Sequence, residues 1–95
     1  MDCSDVLFSG HAVTRMFERG LTRDDVLIAI RQGEAIANYA DDRPYPSQLL
    51  LAHSGTQPIH VVVARDSMSG NCFVVTVYLP DPALWSDDFK SRRTS

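Results

Sequence analysis

His11, Arg15 and Arg19 follow one another at intervals of four residues near the start of the chain, in the stretch SGHAVTRMFERGLT. On an α-helix each residue turns by about 100°, so these three side chains form a single stripe. Guanidinium groups bind phosphate oxygens and a neutral imidazole accepts a proton, so the stripe is suited to chemistry on a phosphate group. The alternative is an ordinary amphipathic helix, in which Arg15 and Arg19 are solvent-exposed and pair with Glu18 or with the aspartates that follow.

A second group of polar residues lies within two apolar runs, IHVVVAR and VVTVYLP. Alternate residues of a β-strand share a face, so His60 lies on the same face as Val62. If the hairpin between the two runs is symmetric about Ser69, His60 is opposite Tyr78, and Val62 is opposite Thr76. A slip of one residue would send these groups to opposite faces of the sheet. The alternative role for His60 is that of a half-buried side chain hydrogen-bonded to a neighbour.

The first of the elements that must position these residues is a helix predicted over residues 9–19. Ser9 can cap its first turn, and Gly20 tolerates the left-handed conformation in which many helices end. The apolar side of this helix is expected to pack against a sheet, because it is the only continuous apolar stripe that the helix has. That side consists of Ala12, Val13, Met16 and Phe17.

A second helix is predicted immediately after the first. Thr22 and Asp25 have the spacing of a capping box, in which each side chain binds the backbone N–H of the other residue. The helix is expected to end near Gln32, because Gly33 follows it. Two prolines and paired aspartates in DDRPYPSQ then mark a surface loop over residues 41–47.

Three short runs rich in β-branched, leucine and aromatic residues follow this loop: QLLLAHS, IHVVVAR and FVVTVYL. The links between them are short and consist of turn-forming residues, which permits antiparallel pairing and leaves no room for crossover helices. The predicted fold is therefore α+β, with two N-terminal helices followed by an antiparallel sheet of three to four strands.

The final stretch, PDPALWSDDFKSRR, predicts a short C-terminal helix or a docked tail. Asp81 can cap such a helix, and Pro82 suits its first position. Trp85 and Phe89 are four residues apart, so they would lie on one side of it.

The composition is that of one globular domain over residues 1–95, with 44% hydrophobic and 22% charged residues. The net charge of −3 disfavours RNA as a partner, because Lys and Arg supply most of the affinity for phosphates. The first ten residues carry no basic side chain, and no apolar run approaches the ~20 residues of a membrane span. We therefore expect a cytoplasmic protein without a membrane segment, in which Cys3 and Cys72 are reduced thiols. The His and Cys spacing matches no recognised zinc pattern, so no metal or other cofactor is expected.

Taken together, these features resemble an uncharacterised bacterial family of small domains of unknown function. The similarity covers about Phe8 to Arg93. It rests on an H-x-x-x-R-x-x-x-R-G motif, a second helix with an acidic start, a strand with His-Val, and a strand that ends in T-x-Y-x-P. The matching residues are His11, Arg15, Arg19, Gly20, Gly33, His60, Thr76, Tyr78 and Pro80. In outline this family is similar to the RelE/ParE and BrnT group of toxin-like proteins, in which helices precede an antiparallel sheet and several members cut RNA without a metal.

The resemblance implies a toxin-like ribonuclease, active or degenerate, with an antitoxin-like protein as its partner, and it is compatible with a homodimer. The histidines would act as acid and base and an arginine would bind phosphate, in a catalytic site composed of His11, His60, Arg15, Thr76 and Tyr78. Outer phosphate contacts would come from Arg19, Arg92 and Arg93. We expect His11 and His60 to approach one another in a shared cleft. The alternative is a non-catalytic module that binds a protein or a small anion.

Overall fold

The computed structural model describes residues 1–94, which form two α-helices and five β-strands. The helices follow the first strand directly, and the other four strands come after them. In chain order the elements are β1 (Val6–Phe8), α1 (Gly10–Arg19), α2 (Arg23–Gln32), β2 (Glu34–Tyr39), β3 (Ser47–Ser54), β4 (Gln57–Arg65) and β5 (Cys72–Tyr78). Within residues 1–94, neither helix has the length and hydropathy needed to cross a bilayer.

The ends of α1 are set by the residues that the sequence indicated. The Ser9 side chain accepts a hydrogen bond of 3.0 Å from the backbone N–H of Ala12. Gly20 has a φ of 66°, the left-handed conformation that favours glycine, and its N–H binds carbonyl groups of the last turn. These local signals therefore predicted the helix correctly to within one residue.

The capping box at the start of α2 is also confirmed. The Thr22 hydroxyl accepts from the Asp25 N–H at 3.1 Å, and the Asp25 carboxylate accepts from the Thr22 N–H at 2.9 Å. These hydrogen bonds stabilise the charged carboxylate and hold the pKa of Asp25 below its ordinary value. Gly33 ends the helix as predicted, although in an extended conformation with a φ of −69°.

The predicted antiparallel sheet of three to four strands is wrong, because the sheet has five strands and is mixed. Its order is β1-β5-β4-β3-β2. β1 pairs in parallel with β5, and the other neighbours are antiparallel. A strand of three residues, VLF, is too short to show an alternating pattern. Its partner lies at the other end of the chain, so no local turn signal announces the pairing.

The predicted C-terminal helix is absent from the described residues. After Asp81 the chain makes one turn, in which the Asp81 carbonyl accepts from the N–H groups of Leu84 and Trp85, and no helix continues from it. The Asp88 carboxylate binds the Ser86 hydroxyl and the Lys90 N–H, and such short-range side-chain hydrogen bonds compete with helical ones. Residues 80–94, called the C-terminal segment below, are therefore irregular.

The helices lie on one face of the sheet, and their packing corrects the prediction for α1. Ala12 and Met16 are buried, with exposed fractions of 0% and 7%. Val13 and Phe17, which were expected beside them in the core, are 52% and 88% exposed. The reason is that α1 packs mainly against β5, near the edge of the sheet. Only a narrow side of the helix is therefore in contact with the rest of the protein. Of the four apolar residues on this side of α1, two are thus buried and two are exposed.

The two faces of the sheet bury different residues. Ile59, Val61 and Val63 of β4 belong to the core cluster beneath the helices, together with Val26 and Ile30 of α2. Because side chains alternate along a strand, His60 points to the opposite face. Its cross-strand neighbour Leu51 is buried on that face as well, and the C-terminal segment covers this region through Trp85.

Cys3 and Cys72 form a disulfide, so the expectation of two reduced thiols is wrong. The segment before β1 runs beside the start of β5 and is joined to it by two hydrogen bonds of 2.9 Å. The Ser4 N–H donates to the Gly70 carbonyl, and the Cys72 N–H donates to the Asp5 carbonyl. This pairing brings the two Cα atoms to 5.5 Å, within the range that a disulfide spans. The prediction was made from the expected compartment and from the distance between the two cysteines in sequence. It failed because the pairing of β1 with β5, which the sequence did not reveal, brings them together.

Candidate functional site

The hairpin of β4 and β5 has the register that the sequence predicted. His60 is opposite Tyr78 and Val62 is opposite Thr76, in spite of a bulge that follows Val62. Thr76 and Tyr78 are two residues apart, which corresponds to about 7 Å along the strand. β5 thus carries two polar positions, Thr76 and Tyr78, each with a different histidine beside it.

His60 is fully buried and hydrogen-bonded at both ring nitrogens. Nε2 lies 2.9 Å from the Phe89 carbonyl oxygen, and Nδ1 lies 3.1 Å from the Tyr78 hydroxyl. A carbonyl oxygen can only accept, so Nε2 donates to Phe89 and Nδ1 accepts from Tyr78 in the neutral ring. The Trp85 ring meets the imidazole edge-on, with 4.5 Å between the ring centroids. His60 is thus a buried side chain whose two ring nitrogens both have hydrogen-bond partners.

Burial sets the protonation state of this pair. It lowers the pKa of His60, although the hydrogen bond with Phe89 acts in the opposite direction. Burial also raises the pKa of the Tyr78 hydroxyl, with a smaller opposing effect from the cationic Arg92. Both groups are therefore uncharged near neutral pH.

We expect the protein to lose stability as the pH falls through about 6.5, because the pKa of His60 is lower in the folded than in the unfolded chain. The unfolded chain takes up a proton first, so the stabilisation is fully present above the unfolded pKa and declines below it. The midpoint of thermal unfolding, measured between about pH 7.5 and 5.5, should fall less in a His60→Gln variant than in the wild type. The exposed His53 provides the control, since His53→Ala should keep the wild-type slope. Equal slopes for wild type and His60→Gln would contradict this expectation.

His11 lies in the first turn of α1 and is exposed. Its Nε2 is 3.0 Å from the Thr76 hydroxyl oxygen, while Nδ1 has no hydrogen-bond partner within residues 1–94. His11 and His60 have no hydrogen-bond partner in common, because one binds Thr76 and the other binds Tyr78 and Phe89. The site is thus built from two separate pairs, of which only the His11 pair presents an imidazole to solvent.

The predicted phosphate-binding arginines fall into two groups. On α1, Arg15 forms an ion pair with Glu18 at 3.1 Å, as the alternative interpretation of the stripe anticipated. Arg19, at the last turn of the helix, forms no ion pair within the described part of the chain. The α1 group is therefore solvent-exposed rather than directed into a cleft.

The second group lies in the C-terminal segment. The Arg92 guanidinium lies over the Trp85 ring, 5.6 Å from its centroid. Arg93 binds the Asp87 carboxylate at 2.8 Å and the Pro82 carbonyl through Nε at 2.8 Å. Both arginines therefore stabilise the conformation of the C-terminal segment. Of the two, only Arg92 is near Tyr78.

Sequence reasoning missed the residues that close the site around His60. Trp85 and Phe89 supply an aromatic ring and a carbonyl acceptor, but the segment that carries them was predicted as a short helix or a docked tail and was given no role at this site. Two grooves, of about 530 and 430 Å³, are lined by none of the predicted site residues, although Leu51, the cross-strand neighbour of His60, lines the smaller one. Between residues 1 and 94, no three His, Cys, Asp or Glu side chains form a group that would hold a metal ion.

The structure thus defines a small domain of two helices on a five-stranded mixed sheet, with an exposed His–Thr pair and a buried His–Tyr pair on β5. The chain belongs to the family described as Domain of unknown function (DUF4258), whose family model matches residues 8–79. This match confirms the resemblance to a family of small domains of unknown function, and nothing in it links the chain to RelE/ParE proteins. No curated protein and no solved structure matches the chain. The matched residues include both pairs and end at Leu79, before the C-terminal segment.

Proposed function

We propose that the protein is an interaction domain that binds an acidic protein partner through the exposed side of α1. The observation that carries this proposal is the exposure of Phe17, a residue that is 88% accessible to solvent. Val13, one helical turn earlier, is also half exposed. A phenylalanine and a valine that together face water on one helix are typical of a binding surface, because their burial by a partner is favourable.

The charges around Phe17 indicate the chemistry of the partner. α1 carries two arginines, Arg15 and Arg19, and one acidic residue, Glu18, although the overall charge of the chain is −3. This surface is therefore a basic region of an acidic protein. Arginine and aromatic residues are enriched where binding energy concentrates in interfaces. An acidic surface with an apolar pocket for the Phe17 ring would complement it.

Replacing Phe17 by alanine should weaken binding of this partner by about tenfold or more, the effect of removing a central interface side chain. The partner is first identified by placing a photoreactive phenylalanine at position 17 in cells that make the protein, followed by mass spectrometry of the cross-linked product. Its affinity for the purified wild type and variants is then measured by titration calorimetry. Arg19→Ala should weaken binding and reduce its dependence on salt.

Met68, which is 95% exposed in the turn between β4 and β5, offers the matched control. Met68→Ala removes an exposed apolar side chain far from α1 in sequence and should leave the affinity unchanged. A partner that binds Phe17→Ala as tightly as the wild type, or a cross-linked product that is RNA, would refute the proposed surface.

RNA cleavage is the second candidate function, and the His11–Thr76 hydrogen bond favours it. With Nε2 held by Thr76, the free Nδ1 of His11 is an accessible base that can take the proton of a ribose 2′-hydroxyl. The 2′-oxygen would then attack the adjacent phosphorus, and the bond to the 5′-oxygen would break with a proton delivered to that oxygen. Arg15 would have to exchange Glu18 for the phosphate. His60 would act as the acid only if the Phe89 carbonyl moved away from Nε2.

If this second function holds, the purified protein will cleave single-stranded RNA in the presence of EDTA and leave cyclic or 3′-phosphate ends. His11→Ala should slow the cleavage by about 10² or more, the effect expected for loss of an acid–base group. His53→Ala is the control for loss of an exposed histidine elsewhere and should cleave at the wild-type rate. The absence of cleavage, or cleavage undiminished in His11→Ala, would rule out this site.

A further inference from the structure

The C-terminal segment is folded mainly on itself. Trp85 and Arg92 form an isolated antiparallel bridge, and the Arg93 N–H binds the Leu84 carbonyl at 2.8 Å. The Ser86 N–H binds the Ser91 carbonyl at the same distance. Most residues of the segment are exposed, so it is a closed loop that lies on the sheet rather than a strand within it.

A small set of groups attaches this loop to the sheet. The Trp85 indole is the deeply buried side chain of the loop, with 9% exposure, and it packs edge-on against His60. The Phe89 carbonyl accepts the hydrogen bond from His60 Nε2. An ion pair of 3.2 Å between Lys90 and Glu34 adds a contact at the surface. The attachment therefore consists of one aromatic ring, one backbone acceptor and one exposed ion pair.

We infer that the sheet surface formed by Leu51, His60 and Tyr78 is a binding site for an aromatic peptide segment, and that the C-terminal segment occupies it as an intramolecular ligand. The ligand would be a polypeptide that supplies an aromatic side chain, as Trp85 does, and a backbone carbonyl a few residues later, as Phe89 does. A protein segment with this chemistry would bind by displacing residues 84–92.

The hydrogen bonding of His60 determines what this site accepts. Nε2–H is buried and would lose its partner if the Phe89 carbonyl left without a replacement. A buried donor without a partner is unfavourable, so any competing ligand must bring an acceptor as well as a ring. This requirement gives the site selectivity beyond simple burial of an aromatic group.

Two further observations indicate that the C-terminal segment is displaceable. The family match covers residues 8–79, so Leu51, His60 and Tyr78 lie within the matched part of the chain and Trp85 lies outside it. Phe89 has a φ of 61°, a conformation that a residue with a Cβ atom adopts at an energetic cost. The cost of this backbone conformation therefore reduces the free energy gained when the C-terminal segment docks on the sheet.

The experiment uses Trp85, the only tryptophan of the chain, as its reporter. A Trp85→Ala variant has no tryptophan, so a synthetic peptide with the sequence of residues 81–94 is the sole source of indole fluorescence. We expect the peptide to bind this variant saturably, with a blue shift of its emission, and to bind the wild type at least about tenfold more weakly because the site is already filled. The same peptide with alanine at the tryptophan position should not compete. A folded Trp85→Ala variant that does not bind the peptide would overturn the proposal.

Two further variants and one further measurement complete the test. His60→Leu, added to Trp85→Ala, should abolish peptide binding, whereas adding Leu84→Ala instead should leave it unchanged. Because Trp85→Ala could fail to fold, hydrogen exchange on the wild type gives an independent result. Amides of residues 84–93 should exchange at least about tenfold faster than those of Val61 and Val63, through local release of the segment. Exchange of both sets at one common rate would overturn the proposal even without the variant.

Discussion

Replacing both Cys3 and Cys72 by alanine is expected to lower the free energy of unfolding by about 4 kcal/mol. The bond joins residues that are 69 positions apart, so it removes much of the conformational freedom of the unfolded chain. Urea denaturation of the wild type and the double variant, both without reductant, measures the difference as a shift of the midpoint.

Reduction provides the matched control for this substitution. An excess of a dithiol should destabilise the wild type to about the level of the Cys3→Ala, Cys72→Ala variant and leave the variant itself unaffected. Equal midpoints for the wild type and the variant without reductant would show that the disulfide contributes no stability.

Replacement by alanine should have very different effects on stability at two adjacent residues of α1. Met16→Ala is expected to cost about 2–5 kcal/mol, because it leaves a cavity where a buried side chain contacted the core. Phe17→Ala should change the stability by less than about 0.5 kcal/mol, because the ring is exposed. Chemical denaturation of both variants measures the two changes in the free energy of unfolding. A loss for Phe17→Ala as large as that for Met16→Ala would mean that the ring is buried in solution.

The parts of the fold that the sequence predicted well are those with local causes. A cap such as Ser9 and a capping box such as that of Thr22 and Asp25 act within one helical turn, so they are visible in a few consecutive residues. The register of the β4–β5 hairpin follows from the short link around Ser69, and it placed His60 opposite Tyr78 correctly.

The errors in the sheet, the cysteines and the packing of α1 have non-local causes. β1 pairs with a strand from the other end of the chain, and the disulfide depends on that pairing. The exposure of Phe17 follows from the position of α1 near the edge of the sheet, which the periodicity of the helix does not contain. The candidate site shows the same division. Its His60–Tyr78 pair was predictable from two strands, whereas Trp85 and Phe89 reach it from an irregular segment.

The Cys3–Cys72 bond turns most of the backbone into a closed covalent ring that contains both helices and the first four strands. The loop between β2 and β3, with Asp41, Asp42 and Arg43 exposed, is part of this ring. A protease that cuts this loop opens the ring without dividing the molecule, so the two fragments migrate as one species on a gel until a thiol is added. The same loop can therefore accept an inserted domain or newly made chain ends while the protein remains one covalent molecule.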